Sequence, residues 1–231
     1  MSVDRIVVYG DFNCPWSYLA SRRAAALAEG GVDVEWRAVE HAPWRPSRFA
    51  DSSLRFTALR AEMDHVVSHL LPGERLPYSL AGFVPYTAAA VSGYAEAHVA
   101  GVAAEVRDLL FEAFWMHSLD LDDHRAVRTL LVDAIRSGST PSARLRRWGY
   151  AVNATGSPVT NSAWRLVGAW DEAWRRDGSN TVPVVATGAG DPRTGTAAVE
   201  WLGTQLLARG LDPGSTGGPV TTPHAAAEIA G

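Results

Sequence analysis

Residues 11–18 read DFNCPWSY and hold Cys14, the only cysteine of the 231-residue chain. Before them, Arg5 to Tyr9 form a short β-branched run that predicts a buried strand. After them, Trp16 to Ala28 are rich in helix formers, and Gly30–Gly31 end that pattern. We therefore expect Cys14 between the end of a strand and the start of a helix.

The pattern continues into a second strand and then changes. Val32 to Val39 alternate apolar and polar side chains, which predicts a half-buried strand. A crossover of this length favours two parallel strands with a right-handed connection. From about Ala42 to Trp170 apolar residues recur at helical spacing instead. The predicted helices span Asp51 to Leu71, Tyr86 to Ala100, Val102 to Trp115, Asp122 or Asp123 to about Ile135, and Asn161 to Arg176.

A strand pattern returns near the C-terminus, where Thr181 to Thr187 are β-branched around Pro183. Proline within such a pattern implies an edge strand, a strand start or a cis bond. Residues 188–192 predict a turn, and Thr196 to Arg209 predict a last helix. The predicted organisation is one domain from residues 1–41 and 160–211, a helical insertion at 42–159, and a mobile tail, rich in Gly, Pro, Thr and Ala, at 212–231.

Composition limits the classes of function. The chain is 47% hydrophobic and 20% charged, which is ordinary for a soluble globular protein. With a net charge of -4 and a pI near 6.0, it lacks the basic field that binds nucleic acid or anionic membranes. We see neither a signal peptide nor an apolar run long enough for a membrane span, so we expect a cytoplasmic protein. One cysteine excludes an intramolecular disulfide.

The predicted position of Cys14 favours chemistry at its sulfur. Backbone N–H groups and the helix dipole at a helix start help a thiolate to form, and the thiolate is the reactive species. Pro15 suits a first helical turn, and Ser17 can offer a hydroxyl hydrogen bond to the sulfur. Ser17 cannot resolve a mixed disulfide. A free cysteine is more often a small buried apolar residue, but the late Val182–Pro183 pair favours a functional role.

The CPWS segment after a first strand resembles the C-P-x-C site of the DsbA-like branch of thioredoxin-fold proteins, including the FrnE-like members. With Tyr18–Leu19 it also resembles the S-P-Y-S-Y-L start of the 2-hydroxychromene-2-carboxylate isomerases and kappa-class glutathione transferases. Both groups share a cis-proline facing the active-site helix start, and Val182–Pro183 take that place here. The resemblance reaches to about Gly210. It implies an α/β, thioredoxin-like fold, β-α-β followed by β-β-α, with a large all-helical insertion.

The resemblance also implies roles for individual residues. Cys14 is the candidate nucleophile and Ser17 its catalytic neighbour. Val182 would offer backbone groups to an extended thiol peptide or to glutathione. The full set of candidate substrate- or thiol-binding residues is Asn13, Pro15, Trp16, Val182 and Pro183.

Three functions stay open from the sequence. The first is a DsbA-like thiol-disulfide oxidoreductase that works through one cysteine on disulfides or glutathione mixed disulfides. The second is a glutathione-dependent isomerase or transferase, and the third a non-catalytic binding protein of the same fold. We expect no tightly bound cofactor. Glutathione or another low-molecular-weight thiol would be a co-substrate, the partner a small thiol or a disulfide-bearing protein, and a homodimer stays open.

Other polar patterns have simpler explanations. His65 and His69 share a helix face, and a polar cluster runs from His117 to His124. Either spacing could hold a metal, but a polar face and an aspartate-capped loop are simpler, so we predict no metal site. Gly188 to Gly190 lack the continuation of a dinucleotide loop. Aromatic residues of the insertion are expected to cover Cys14, most of them as core and one or two as the lining of a substrate cleft; they are Trp44, Phe83, Tyr86, Phe111, Phe114 and Trp115.

Overall fold

One mixed sheet is formed by four strands in the order β2-β1-β3-β4. They are β1 (Ile6–Gly10), β2 (Val34–Ala38), β3 (Val184–Ala186) and β4 (Arg193–Thr194). The strands β1 and β2 are parallel, as predicted, whereas β3 is antiparallel to β1 and β4 is antiparallel to β3. This is the mixed sheet of a thioredoxin-like fold, so the predicted fold class is confirmed.

The computed structural model describes residues 5–41, 52–76, 83–139, 145, 147, 151–178, 180–188 and 190–214. Trp44 and most of the predicted C-terminal tail lie outside these residues. The helices are α1 (Pro15–Glu29), α2 (Ser52–Val67), α3 (Ala88–Ala100), α4 (Ala103–His117), α5 (His124–Ser137), α6 (Asn161–Gly178) and α7 (Gly195–Ala208). The helices α2 to α5 form the insertion. None of the described helices is long and apolar enough to cross a membrane.

The register of the sheet determines what meets at the active-site end. Tyr9 of β1 pairs with Val184 of β3, and the two strands run in opposite directions. The residues after Tyr9 therefore lie beside the residues before Val184. Pro183 precedes β3, where no ladder donor is required of it, so the predicted strand Thr181–Thr187 was too long. The Val182–Pro183 peptide bond is cis.

Among the described residues, one cluster of buried apolar side chains joins the sheet, its flanking helices and the insertion. The helix α3 lies at the centre of the insertion and packs against α4, α5 and α6. Of the two predicted starts of α5, Asp122 and Asp123, the structure shows the second. The Asp123 carboxylate accepts hydrogen bonds from the N–H groups of Arg125 and Ala126. Asp123 is therefore the N-cap, and Asp122 belongs to the preceding loop.

Gly10, at the end of β1, is required by close packing. A Cβ there would lie 2.3 Å from Cη2 of Trp36 and 3.1 Å from Cβ of Ser17. We expect Gly10→Ala to lower the free energy of unfolding by about 1 to 3 kcal/mol, because the rigid indole must shift. Gly168→Ala in α6 is the matched control, since nothing lies within 4 Å of its Cβ, and it should gain about 0.5 to 1 kcal/mol. Urea denaturation of both variants tests this; equal stabilities would contradict it.

Candidate active site at Cys14

Cys14 is the N-cap residue of α1, with Pro15 as the first helical residue. Its N–H donates to the carbonyl of Asp11 over 3.2 Å, and its carbonyl accepts the first helical bond from the N–H of Tyr18. The side chain is 6% exposed and belongs to the apolar core. The predicted location between strand and helix is therefore correct, but the sulfur is covered rather than open.

Burial raises the pKa of the Cys14 thiol to about 12. Desolvation is the main cause, and the negative charges of Glu62 and Asp11 add to it. Hydrogen bonds from the N–H and hydroxyl of Ser17 act in the opposite direction. The direction of the shift is the reverse of what a helix start alone predicts, because removal from water outweighs the helix terminus.

Ser17 connects the sulfur to the strand end. Its side chain is fully buried, and its hydroxyl oxygen accepts a hydrogen bond of 3.2 Å from the N–H of Asp11. The same hydroxyl donates toward Cys14. Ser17 is thus positioned to stabilise a charge on this sulfur, or on another sulfur that occupies its place.

Asn13 and Trp16 face the insertion. The amide of Asn13 donates to the carbonyl of Pro85 over 2.9 Å, and its Oδ1 has no hydrogen-bond partner among the described residues. The indole of Trp16 lies 5.1 Å from each of the rings of His65 and His69. Both histidines therefore pack on the CPWS segment, but the predicted helix to Leu71 was too long, since α2 ends at Val67 and His69 lies in the turn after it. The part of the chain that the structure describes contains no cluster of three or more metal-binding side chains.

Val182 and Pro183 are buried at the same end of the sheet as Cys14. Hydrogen bonds to its carbonyl groups hold this segment on both sides. The N–H of Gly195 donates to the carbonyl of Pro183 over 2.8 Å, and the indole of Trp174 donates to the carbonyl of Thr181 over 2.7 Å. The fold therefore brings all the candidate site residues to one end of the sheet.

Aromatic side chains of the insertion cover this end, as the sequence suggested. The rings of Phe12 and Phe111 lie 5.0 Å apart, and the Trp115 indole donates to the carbonyl of Phe12 over 3.0 Å. Phe114 and Trp115 are both 1% exposed, so they belong to the core. Phe83 and Tyr86 remain partly exposed.

Four further polar residues meet beside Cys14 and were not predicted. Asp11 is fully buried, and its carboxylate binds the imidazole of His41 over 2.7 Å and the hydroxyl of Thr87 over 2.6 Å. Glu40 accepts a bond of 3.1 Å from the N–H of Thr87. One signal was available, since Asp11 and His41 follow the C-terminal ends of two strands predicted to be parallel and adjacent.

A separate cleft of about 310 Å³ opens at the opposite end of the sheet. It is lined by residues at the starts of β1 and β2 and by polar side chains of the insertion, among them His98 and Arg107. It is therefore distinct from the site at Cys14.

The raised pKa predicts a steep pH dependence for modification of Cys14. We expect the rate with N-ethylmaleimide to rise about tenfold per pH unit between pH 8 and 10, without the levelling-off that a free thiol shows above its pKa of ~8.5. The thiolate fraction grows at this slope as long as the pH stays below the pKa. Mass spectrometry of the time course measures the rate. A rate that levels off as the pH rises above ~8.5 would contradict the buried-thiol geometry.

Glu62→Gln tests one cause of that shift. Removing its charge should raise the modification rate at a fixed pH by about two- to tenfold. Asp64→Asn is the control, because residues two apart on a helix do not share a face. Equal rates for the two variants would show that the Glu62 charge does not act on the sulfur.

A sheet of this order, a helix starting at the cysteine and an inserted helical domain define a thioredoxin-like protein. A sequence model of the DSBA-like thioredoxin domain family matches residues 5–135, more than half of the chain, and the chain belongs to that family. No curated protein matches the sequence significantly.

Solved structures share the fold at low sequence identity. A 2-hydroxychromene-2-carboxylate isomerase is 18% identical with a TM-score of 0.59, over 89% of this chain and 94% of that one. A candidate protein disulfide isomerase from Nitrosomonas europaea is 14% identical with a TM-score of 0.58, over 89% and 99%. A candidate DsbA oxidoreductase from Streptomyces coelicolor is 16% identical with a TM-score of 0.56, over 96% and 94%. These likenesses show a common fold.

Proposed function

We propose that this DSBA-like protein carries out thiol-disulfide exchange through Cys14 alone. The observation that carries the proposal is the position of its sulfur: it lies at the start of α1, accepts hydrogen bonds from Ser17, and shares the sheet end with Val182 and Pro183. Hydrogen bonds to a thiolate favour its formation. Backbone groups next to Pro183 would hold the extended chain of a thiol or disulfide.

The exchange has two balanced steps. The Cys14 thiolate attacks a disulfide RS–SR, the S–S bond breaks, a Cys14–S–SR bond forms, and RS⁻ leaves and takes up a proton. Because the chain has one cysteine, a second thiolate from outside must attack the mixed disulfide. That attack releases a new disulfide and restores Cys14. In a reducing compartment such as the cytoplasm, glutathione or another small thiol would supply the second thiolate.

The covered thiol determines the expected rate. With a pKa of about 12 the sulfur is protonated at neutral pH, so exchange proceeds from a small thiolate fraction. Ser17→Ala removes one hydrogen bond to the sulfur and should slow adduct formation by about three- to tenfold. Ser17→Cys changes the site in the opposite direction, because it adds a second thiol to the CPWS segment.

Intact-mass spectrometry after incubation with oxidised glutathione or hydroxyethyl disulfide tests the proposal. We expect a single adduct in the wild type, its loss with dithiothreitol, and no adduct in Cys14→Ser. Cys14→Ser removes the only thiol of the chain, so the absence of an adduct in this variant does not depend on how well it folds. Absence of an adduct from pH 7 to 9 would rule out this function.

A second function is supported by the same raised pKa. A Cys14 that stays protonated can donate a hydrogen bond to the sulfur of a bound glutathione, as a hydroxyl would. The bound thiolate would then be the reactive group of a glutathione-dependent isomerase or transferase. Activity with 2-hydroxychromene-2-carboxylate and reduced glutathione that is retained in Cys14→Ser but lost in Cys14→Ala would favour this function. If both assays are negative, a non-catalytic binding protein is the remaining alternative.

A further inference from the structure

A buried polar unit beside Cys14 contains a histidine. Both the backbone N–H and the imidazole Nδ1 of His41 bind one carboxylate oxygen of Asp11, over 3.0 and 2.7 Å. The other carboxylate oxygen accepts the hydroxyl hydrogen of Thr87 over 2.6 Å. Asp11 is fully buried, while the side chain of His41 is 19% exposed. The carboxylate is therefore held on both sides, and the imidazole keeps a path to solvent.

Asp11 links this unit to the reactive end of the molecule. Its N–H donates to the hydroxyl oxygen of Ser17, and its carbonyl accepts the N–H of Cys14, each over 3.2 Å. Ser17 in turn donates to the sulfur, and the charge of Asp11 acts against a thiolate there. One residue thus contacts both the histidine and the neighbours of the sulfur.

The atom of His41 that takes a proton follows from these bonds. A carboxylate only accepts hydrogen bonds, so Nδ1 carries the hydrogen that binds Asp11. In the neutral imidazole the lone pair is then on Nε2. Uptake of a proton at Nε2 converts the Asp11–His41 pair from a net charge of about -1 to about zero.

Other acidic groups surround the pair. Glu40 precedes His41 and is bound to Thr87, and Asp122 from the loop before α5 acts on Glu40. Glu62 of α2 and Asp11 both oppose a charge on Cys14. Residues 42–50, which follow His41, are outside the described part of the chain. His41 is the imidazole bound to Asp11, while His65 and His69 pack on Trp16 and, in the described structure, form no hydrogen bond or ion pair with Asp11.

We propose that His41 is a positioning residue for Cys14, which through Asp11 sets how readily the sulfur loses its proton. When His41 is protonated, the Asp11 charge is compensated and the thiolate is less opposed. When His41 is neutral, the Asp11 charge acts on the sulfur in full. The inference rests on the proposed function only in taking Cys14 as the reacting group.

The sign of the effect gives a distinctive pH profile. Below the thiol pKa the logarithm of the modification rate rises with unit slope. Where His41 loses its charge as the pH rises, the Asp11 charge is no longer compensated and the thiol becomes harder to ionise. The wild type should therefore show a shallow segment there, with an offset of about three- to tenfold between the acid and alkaline limbs.

The experiment is the rate of modification of Cys14 by N-ethylmaleimide from pH 5 to 10 in the full-length protein. His41→Gln should give a single unit slope, about three- to tenfold slower than wild type at pH 5.5 and equal to it at pH 9. Asp11→Asn should also give a single slope, but faster than wild type at pH 9. His117→Gln, whose side chain is 54% exposed on α4, is the control and should keep the wild-type profile.

A wild-type profile with one unit slope throughout would overturn the proposal, and so would a His41→Gln profile equal to wild type at every pH. A general loss of structure would change the rate at all pH values in the same direction, so it does not reproduce a difference at pH 5.5 that disappears at pH 9. If His41→Gln does not fold, the Asp11→Asn profile decides, because a shallow segment that persists in this variant cannot come from a histidine that acts through Asp11. N-Ethylmaleimide reports the thiol whether or not Cys14 exchanges disulfides, so this test and that of the proposed function can fail separately.

Discussion

Replacing Arg23 with methionine is expected to lower the free energy of unfolding by about 3 to 5 kcal/mol. The guanidinium is 2% exposed and binds Glu74, whose side chain is 3% exposed, through two bonds of 2.7 Å. It also donates to the carbonyls of Val199 and His69, each over 2.7 Å. The substitution leaves the Glu74 carboxylate buried without its cation, which is the costly outcome.

Two further variants separate the ion pair from simple loss of packing. Arg22→Met, next in the chain and only partly buried, should change the stability by less than about 1 kcal/mol. The double variant Arg23→Met/Glu74→Met should lose less stability than the sum of the losses in Arg23→Met and Glu74→Met, because neither charge is then left unpaired. Urea denaturation gives the free energies of unfolding of Arg22→Met, the two single variants and the double variant. Strict additivity would contradict the assignment of a buried ion pair.

The same substitution should affect Cys14. Arg23 ties α1 to the segment after α2 through Glu74 and His69, and α2 carries the residues that contact Trp16 and oppose the thiolate. Loosening this attachment makes local opening less costly. If the free energy of this local opening falls by about 1.4 kcal/mol, which is a factor of ten in an equilibrium constant, modification of Cys14 in Arg23→Met should be about tenfold faster than in wild type. Unchanged modification would show that α2 does not control access to the sulfur.

The second large effect is expected at Glu96, a fully buried residue of α3. Its carboxylate accepts bonds from the N–H groups of Val159 and Thr160, over 2.7 and 2.6 Å, and from the Thr160 hydroxyl over 3.0 Å. Thr160 then accepts the N–H of Ala163 at the start of α6. Glu96→Ala leaves three buried donors without acceptors and should cost about 3 kcal/mol or more.

Glu96→Gln separates shape from charge. Glutamine keeps one acceptor oxygen, so we expect a loss of about 1 to 2 kcal/mol at pH 7. Burial raises the pKa of Glu96 above its usual 4.5, so the folded state binds a proton at a higher pH than the unfolded state. The wild type should therefore gain stability relative to Glu96→Gln as the pH falls toward 4.5. Glu172→Ala, exposed on α6, is the control with a change within about 0.5 kcal/mol. A loss of stability in Glu96→Ala that is no larger than the loss in Glu172→Ala would contradict the role of Glu96 as acceptor for these buried donors.

The sequence predicted the features that depend on local pattern. The β1-α1 junction at Cys14, the cap at Asp123 and the proximity of His65 and His69 each follow from a few consecutive residues or a helical repeat. The order of the elements and the resemblance of the CPWS segment were enough for the fold. The placement of Val182–Pro183 required only the register that such a sheet imposes.

The electrostatics of the site could not be predicted in the same way. The pKa of Cys14 depends on burial by the insertion and on Glu62 of α2, which lies far along the chain. Asp11 meets His41 and Thr87 across 30 and 76 positions. A motif shows which side chain starts a helix, but the charge that the side chain carries depends on what packs over it.

The covering of Cys14 has a consequence for resistance to oxidants. A cysteine oxidised to sulfenic acid is rescued by condensing with a thiol, and in this chain that thiol must come from outside because there is no second cysteine. Further oxidation to sulfinic acid is irreversible. Peroxides attack thiolates that are exposed, and Cys14 is 6% exposed with a pKa near 12. The packing that slows its chemistry thereby also preserves the sulfur in its reduced form.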